Sequence, residues 1–313
     1  MPTRNISEDW FRASEAAGDF MGIHYGRIGP QAGAPEWHVV PHCECDGIGG
    51  FARLLRAQGA HLPSLPETLH PCRGVIGPVW RLWRDRLNPP DLAIRRDWLP
   101  ERPAKPAPEN MAWHLFTREE TRDLLARCRE IKCTVNSVLL HSLDRTVRPE
   151  IRRPAAAIPW LIPVNLRGDV RFADDTQNHV SCVDVAVDAD ATPHEIHRRI
   201  RRQLERGEHR ANHLLLGFGG ILSHRLKVRV IRTSRAKPAG NIGSFSNLGV
   251  WNPDHPPSAD DGWVFCPPVV SGQLLAAGCI TFNGRLGLAT HGLPTKVSPA
   301  ERMAEWVRRI GQV

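Results

Sequence analysis

Lysine is scarce in this chain. Five lysines occur among 313 residues, so a net charge of +8 is carried almost wholly by arginine. No apolar run approaches the ~20 residues that a membrane-crossing helix needs. The opening MPTRNISEDW also lacks the apolar core of a secretory signal, and the cytoplasm is the expected location. Cysteines paired at zinc spacing, an RNA-binding signature, a glycine-rich phosphate loop and an internal repeat are all missing. Nucleic acid is therefore not an expected partner, although HRRIRRQLERGEHR (197–210) concentrates basic residues. The cluster from Arg198 to Arg202 reads as a solvated helix face.

What is present is ordinary for a globular protein: 41% hydrophobic and 24% charged residues, in a chain long enough for one large domain or two lobes. The eight cysteines are scattered, and reduced thiols packing as small hydrophobes are expected. A helix is expected over 8–17, strands over 21–28 and 36–43, and a helix ended by Gly59. The proline-rich segment 96–110 reads as a semi-rigid linker between residues 1–95 and 111–313. Beyond it, Thr117–Glu120, Thr192–Glu195 and Ser298–Glu301 fit the capping box and open helices near 118–131, 193–206 and 299–310. A further helix is expected at 134–147. Strand-like runs fall at 113–116, 160–166, 179–187, 243–249 and 262–268. Asn283-Gly284 suits the type I′ turn of a closing hairpin. The outline is α/β with mixed sheets.

One stretch stands out: WHVVPHCECDGIGGFARLL, Trp37 to Leu55. It places His42 at the end of an apolar strand and Asp46 on the turn that follows, before Gly47 and a helix. Four readings are open from the residues alone. The pair is accidental, since fifteen histidines make such spacings common; or His42 is a core histidine at a strand end; or His42, Cys43 and Cys45 ligate a metal; or His42 is catalytic. No second ligand pair accompanies the cysteines, so no metal is expected. An imidazole presented at a sheet edge is suited to take a proton near neutral pH.

HCECDGIGGFARLL resembles the His-x-x-x-Asp-Gly signature of the CoA-dependent acyltransferase superfamily, which includes chloramphenicol acetyltransferase, condensation domains and wax ester synthases. TVNSVLLHSL (134–143), IPVNLRGD (162–169) with NHVSCVDV (178–185), and GSFSNLGVW (243–251) resemble further segments of that family, in order along the chain. The resemblance implies a two-lobed, chloramphenicol acetyltransferase-like α/β sandwich with a channel between the lobes. It implies that His42 is the general base, that Asp46 turns away to hold the loop against an arginine, with Arg167 the candidate, and that Gly47 allows the turn. Ser244, Ser246 or Asn247 would supply an oxyanion donor, and Asn165 and Arg167 would shape the channel wall.

The implied co-substrate is acyl-CoA or an acyl-phosphopantetheine carrier protein, and the acceptor is a small alcohol or amine. Dispersed arginines without a phosphate loop favour the carrier, or use of both donors. No permanently bound cofactor is expected, and the chain is expected to be a monomer. Two departures stand beside the resemblance. With only 41 residues ahead of His42, the first lobe is expected to be abridged, to start further upstream or to be completed by a partner, and Pro41 stands where many relatives carry a second histidine. A module that keeps the fold and binds a carrier or partner without chemistry is the alternative.

Overall fold

The structure, a computed structural model, describes residues 6–69, 74, 76–87, 110–151, 157–234, 240–253, 260–270, 273–292 and 297–313. The expected linker, 96–110, lies outside these apart from Asn110. In chain order the elements are α1 (Ile6–Ala17), β1 (Gly22–Ile28), β2 (Glu36–Pro41), α2 (Gly47–Ala57), α3 (Ile76–Leu87), β3 (Met111–Leu115), α4 (Arg118–Glu130), α5 (Val135–Val147), β4 (Ala157–Asn165), β5 (Val180–Asp188), α6 (Pro193–Glu205), α7 (Glu208–Phe218), α8 (His224–Ser234), β6 (Gly243–Trp251), β7 (Gly262–Cys266), β8 (Leu275–Phe282), β9 (Arg285–Gly292) and α9 (Pro299–Ile310).

Local chemistry explains most of these boundaries. All three capping boxes form, with hydroxyl and carboxylate each satisfying a free backbone amide at the starts of α4, α6 and α9. Asn283 and Gly284 both take positive φ, 48° and 77°, as the turn between β8 and β9 requires. Helices α3, α7 and α8 have no counterpart in the sequence reading. On α7 and α8, Leu214, Phe218, Leu226 and Val230 stay exposed, so the apolar period that marks a core-facing helix is blurred.

Six strands form one mixed sheet in the order β3-β9-β8-β6-β4-β5, with β6 parallel to both β4 and β8. One face of it packs on α5 and α9 through Leu139, Leu143, Trp160, Phe245, Leu288 and Trp306. A second sheet has the order β2-β1-β7. Strand β7 comes from the second half of the chain, so the two sheets are not divided along the sequence at the proline-rich segment.

The same strand joins the sheets. A Cβ at Gly287 would lie 1.9 Å from the Trp263 carbonyl oxygen, and one at Gly278 would lie 2.4 Å from that of Phe265. Only glycine lets the backbone of β7 rest on β8 and β9. Its side chains then part to two sides. Trp263 and Phe265 pack with Tyr25, Phe51, Leu248 and Phe282, while Val264 and Cys266 pack with Ile28 and Ala289. Full burial of each large side chain stabilises the junction by roughly 1.5–3 kcal/mol.

Candidate active site at the β2–α2 loop

Strand β2 ends at Pro41, which has no N–H to continue a ladder. The next residue keeps the register: His42 donates its backbone N–H to the Met21 carbonyl at 2.7 Å. A short turn through Cys43 and Cys45 leads to Asp46, the N-cap of α2, whose Oδ1 accepts from the Gly49 amide at 2.7 Å.

Asp46 is almost wholly buried and fully bonded. Arg167 clasps it through both terminal nitrogens, Nη1 to Oδ2 at 2.8 Å and Nη2 to Oδ1 at 3.0 Å, and the His179 amide donates to Oδ2 at 2.8 Å. Arg167 is equally buried and also donates to the carbonyls of Asp175 and Gln177. Asn165 accepts from the Arg167 backbone and donates to the Pro66 carbonyl. Asp46, Arg167 and Asn165 thus form one polar clasp that ties the turn to the β4–β5 connection. A buried charge needs such complete pairing.

The two cysteines between His42 and Asp46 are protonated packing residues. Burial is the main cause that pushes the Cys43 thiol up to about 11 and that of Cys45 up to about 12. Thiols held there supply no thiolate near neutral pH.

His42 Nδ1 lies 3.0 Å from the Cys45 carbonyl oxygen. A carbonyl only accepts, so Nδ1 carries the hydrogen and Nε2 keeps its lone pair. Asn178 Nδ2 lies 3.1 Å from the same nitrogen, and its hydrogens go to the carbonyls of His42 at 2.7 Å and Cys45 at 3.3 Å. This tautomer is assigned from the bonding pattern. Burial lowers the pKa of His42 from its ordinary value, against the opposing pull of the Cys45 carbonyl and the Asp46 charge. The ring of Phe11 from α1 stacks on the imidazole, with centroids 4.1 Å apart. Neither Asn178 nor Phe11 was among the expected site residues. Asn178 fell within a quoted segment without an assigned role, and nothing local to Phe11 signalled it.

The glycines act by proximity. Gly47 has no positive φ among those of the chain, so the turn does not demand glycine there. A Cβ at Gly47 would instead meet Leu248 Cδ2 at 2.7 Å. Gly49 is tighter, since its Cβ would lie 2.0 Å from the Thr176 carbonyl oxygen.

On β6 the expected oxyanion residues separate by strand alternation. Ser244 pairs with Ala276 and Ser246 with Gly278, and a Cβ on Gly278 would strike Phe265, so both serines lie on the face that meets β7. The Ser244 hydroxyl is buried and has no hydrogen-bond partner among the described residues. Asn247 pairs with Cys279 on the opposite face. There its Nδ2 donates to Asn136 Oδ1 at 2.5 Å, and its Oδ1 accepts from the Gly249 amide. The Asn247 side chain is occupied away from the serines.

No family model and no curated protein matches this sequence. Solved structures do match. Polyketide synthase associated protein 5 from Mycobacterium tuberculosis is 17% identical, with 92% of this chain and 75% of that one covered, at a TM-score of 0.53. Trichothecene 15-O-acetyltransferase from Fusarium sporotrichioides is 11% identical, with 100% of this chain and 75% of that one covered, at a TM-score of 0.56. At such identities the likeness speaks to architecture. The chain shares the two-lobed, mixed-sheet α/β fold of these two structures.

Proposed function

We propose that this chain transfers an acyl group from a phosphopantetheine thioester, on CoA or a carrier protein, to a small alcohol or amine, with His42 as general base. One observation carries the reading. The contact of Nδ1 with the Cys45 carbonyl supports the tautomer in which Nε2 can accept a proton.

In the proposed reaction Nε2 takes the proton of the acceptor hydroxyl or amine as its oxygen or nitrogen bonds to the thioester carbon. The carbonyl electron pair moves to oxygen. When the tetrahedral adduct collapses, the C–S bond breaks and the thiolate takes the proton back from the imidazolium. Atoms and charge balance without a metal or redox partner. Ser244 and Ser246 are the hydroxyl donors proposed for the oxyanion; they share the sheet face that meets β7. Asp46 and Arg167 are positioning residues that hold the loop.

The test is thiol release by the purified chain from an acyl-CoA and from the same acyl group on a carrier protein, with alcohols and amines as acceptors. Release that depends on acceptor and is lost in His42→Ala is the expected result. Absence of release from both donors, with the carrier still bound, would assign the chain to the non-catalytic binding class instead.

A further inference from the structure

The two helices whose apolar residues turn outward define a surface. At the junction of α7 and α8, a 3-10 turn (Gly219–Ile221) carries Ile221, 90% exposed, beside Phe218, 68% exposed. Leu214 on α7 and Leu226 and Val230 on α8 are exposed as well. Arg225 and Arg229 lie one turn apart on α8, next to Leu226 and Val230, and both are exposed. From 209 to 253 the chain has no Asp or Glu at all, against seven Arg and Lys.

This is not the packing side of α8. That side holds α1, where buried Lys227 reaches Asp9 at 3.4 Å and lies over the Trp10 ring at 5.7 Å. The outward face of α8 therefore combines apolar tips with cations, and α8 itself carries no Asp or Glu.

Shape and charge choose the occupant. A side chain that is nine-tenths exposed stands clear of any groove, whereas a protein partner buries its apolar contacts in a closely matched patch. A second copy of this chain, related by a two-fold axis, would set Arg225 and Arg229 against the same arginines. A fluid anionic lipid surface needs no matching hollow. It admits single apolar tips between headgroups while arginines meet phosphates.

We infer that the α7–α8 face binds peripherally to an anionic lipid surface. The inference is independent of acyl transfer.

The test is co-sedimentation of the full chain with vesicles of equimolar phosphatidylglycerol and phosphatidylcholine, and with vesicles of phosphatidylcholine alone. Binding to the anionic vesicles only, weakened by added salt, is the expected result. It should fall roughly tenfold or more both in Phe218→Ser/Ile221→Ser and in Arg225→Glu/Arg229→Glu. These sites are exposed, and unchanged near-ultraviolet circular dichroism would show that the variants fold. Vesicle binding indifferent to both variant pairs would overturn the inference. So would dimerisation lost in the same variants, or capture of an acidic carrier protein without vesicle binding, each of which would give the face to a protein.

Discussion

His42 can accept a proton only while its imidazole is neutral. Burial lowers its pKa, so the protonated form should appear only below the ordinary histidine value of about 6.5. Acidification below that point removes the Nε2 lone pair. The acid limb of kcat/KM for thiol release should therefore lie below about 6.5, measured as a pH–rate profile; a limb above it contradicts the assignment. Substitutions should separate the base from its support. His42→Ala is expected to lower turnover by ~10²–10⁴ with a stability loss smaller than that of Asp46→Ala, since only the Phe11 stacking and one hydrogen bond are lost. Asp46→Ala should lower both turnover and stability, with a stability loss of about 3–5 kcal/mol, because Arg167 would stay buried without its counter-charge. Adding Arg167→Met to Asp46→Ala should recover part of that loss, read by denaturant titration. At this scale the motif singled out His42 and Asp46, and the resemblance offered Arg167 as a candidate partner, which the structure pairs with Asp46. Asn178 and Phe11 were not legible, since contacts across distant elements leave no local spacing to read.

Among the elements, legibility followed the chemistry of termini. Thr117, Thr192 and Ser298 mark helix starts because a hydroxyl three residues before a glutamate satisfies amides wherever the helix lies. Helix α7 begins after Gly207 in the left-handed region, with no side-chain cap, and carries exposed apolar residues, so neither cue was available. The start of α2 shows how two nearby glycines differ. Gly49→Ala forces a Cβ against a backbone carbonyl, which cannot yield without moving the helix or the 174–177 turn. Gly47→Ala meets the end of a leucine side chain, which can rotate. Gly49→Ala should therefore destabilise by ~1–3 kcal/mol and reduce activity, and Gly47→Ala should cost clearly less, as compared by thermal unfolding and thiol release.

Across the whole molecule, the least legible feature was the joining of the sheets by β7. Its five residues read as a strand, but no local pattern tells which sheet a strand will enter. The junction carries a second consequence at β1 and β9. There the rings of His24 and His291 meet edge to face at 5.5 Å. Burial holds His24 at about 4, and burial with the neighbouring His24 holds His291 at about 4. Both lie below the unfolded value, so the unfolded chain binds more protons and acid favours it. Stability present above pH 6.5 should decline as pH falls towards about 4, by up to roughly 3 kcal/mol per histidine. Guanidinium titrations at pH 7 and 5 measure this, and the difference should shrink in His291→Leu.

Strand β7 also sets an order in time. The hairpin before His42 is made well ahead of β7, so the edge of β1 that β7 covers stays open until residue 266 has been made. At ~5–20 residues added per second, that interval is about 10–50 s. Throughout it, Ile23, Tyr25 and Phe51 lack the Trp263 and Phe265 rings that share their core. Nascent chains arrested before Gly262 should be cut by protease within 36–46, and chains released after Gly292 should resist. The half-made sheet is a natural client for a chaperone, because β7 is made long after the β1 edge that it covers.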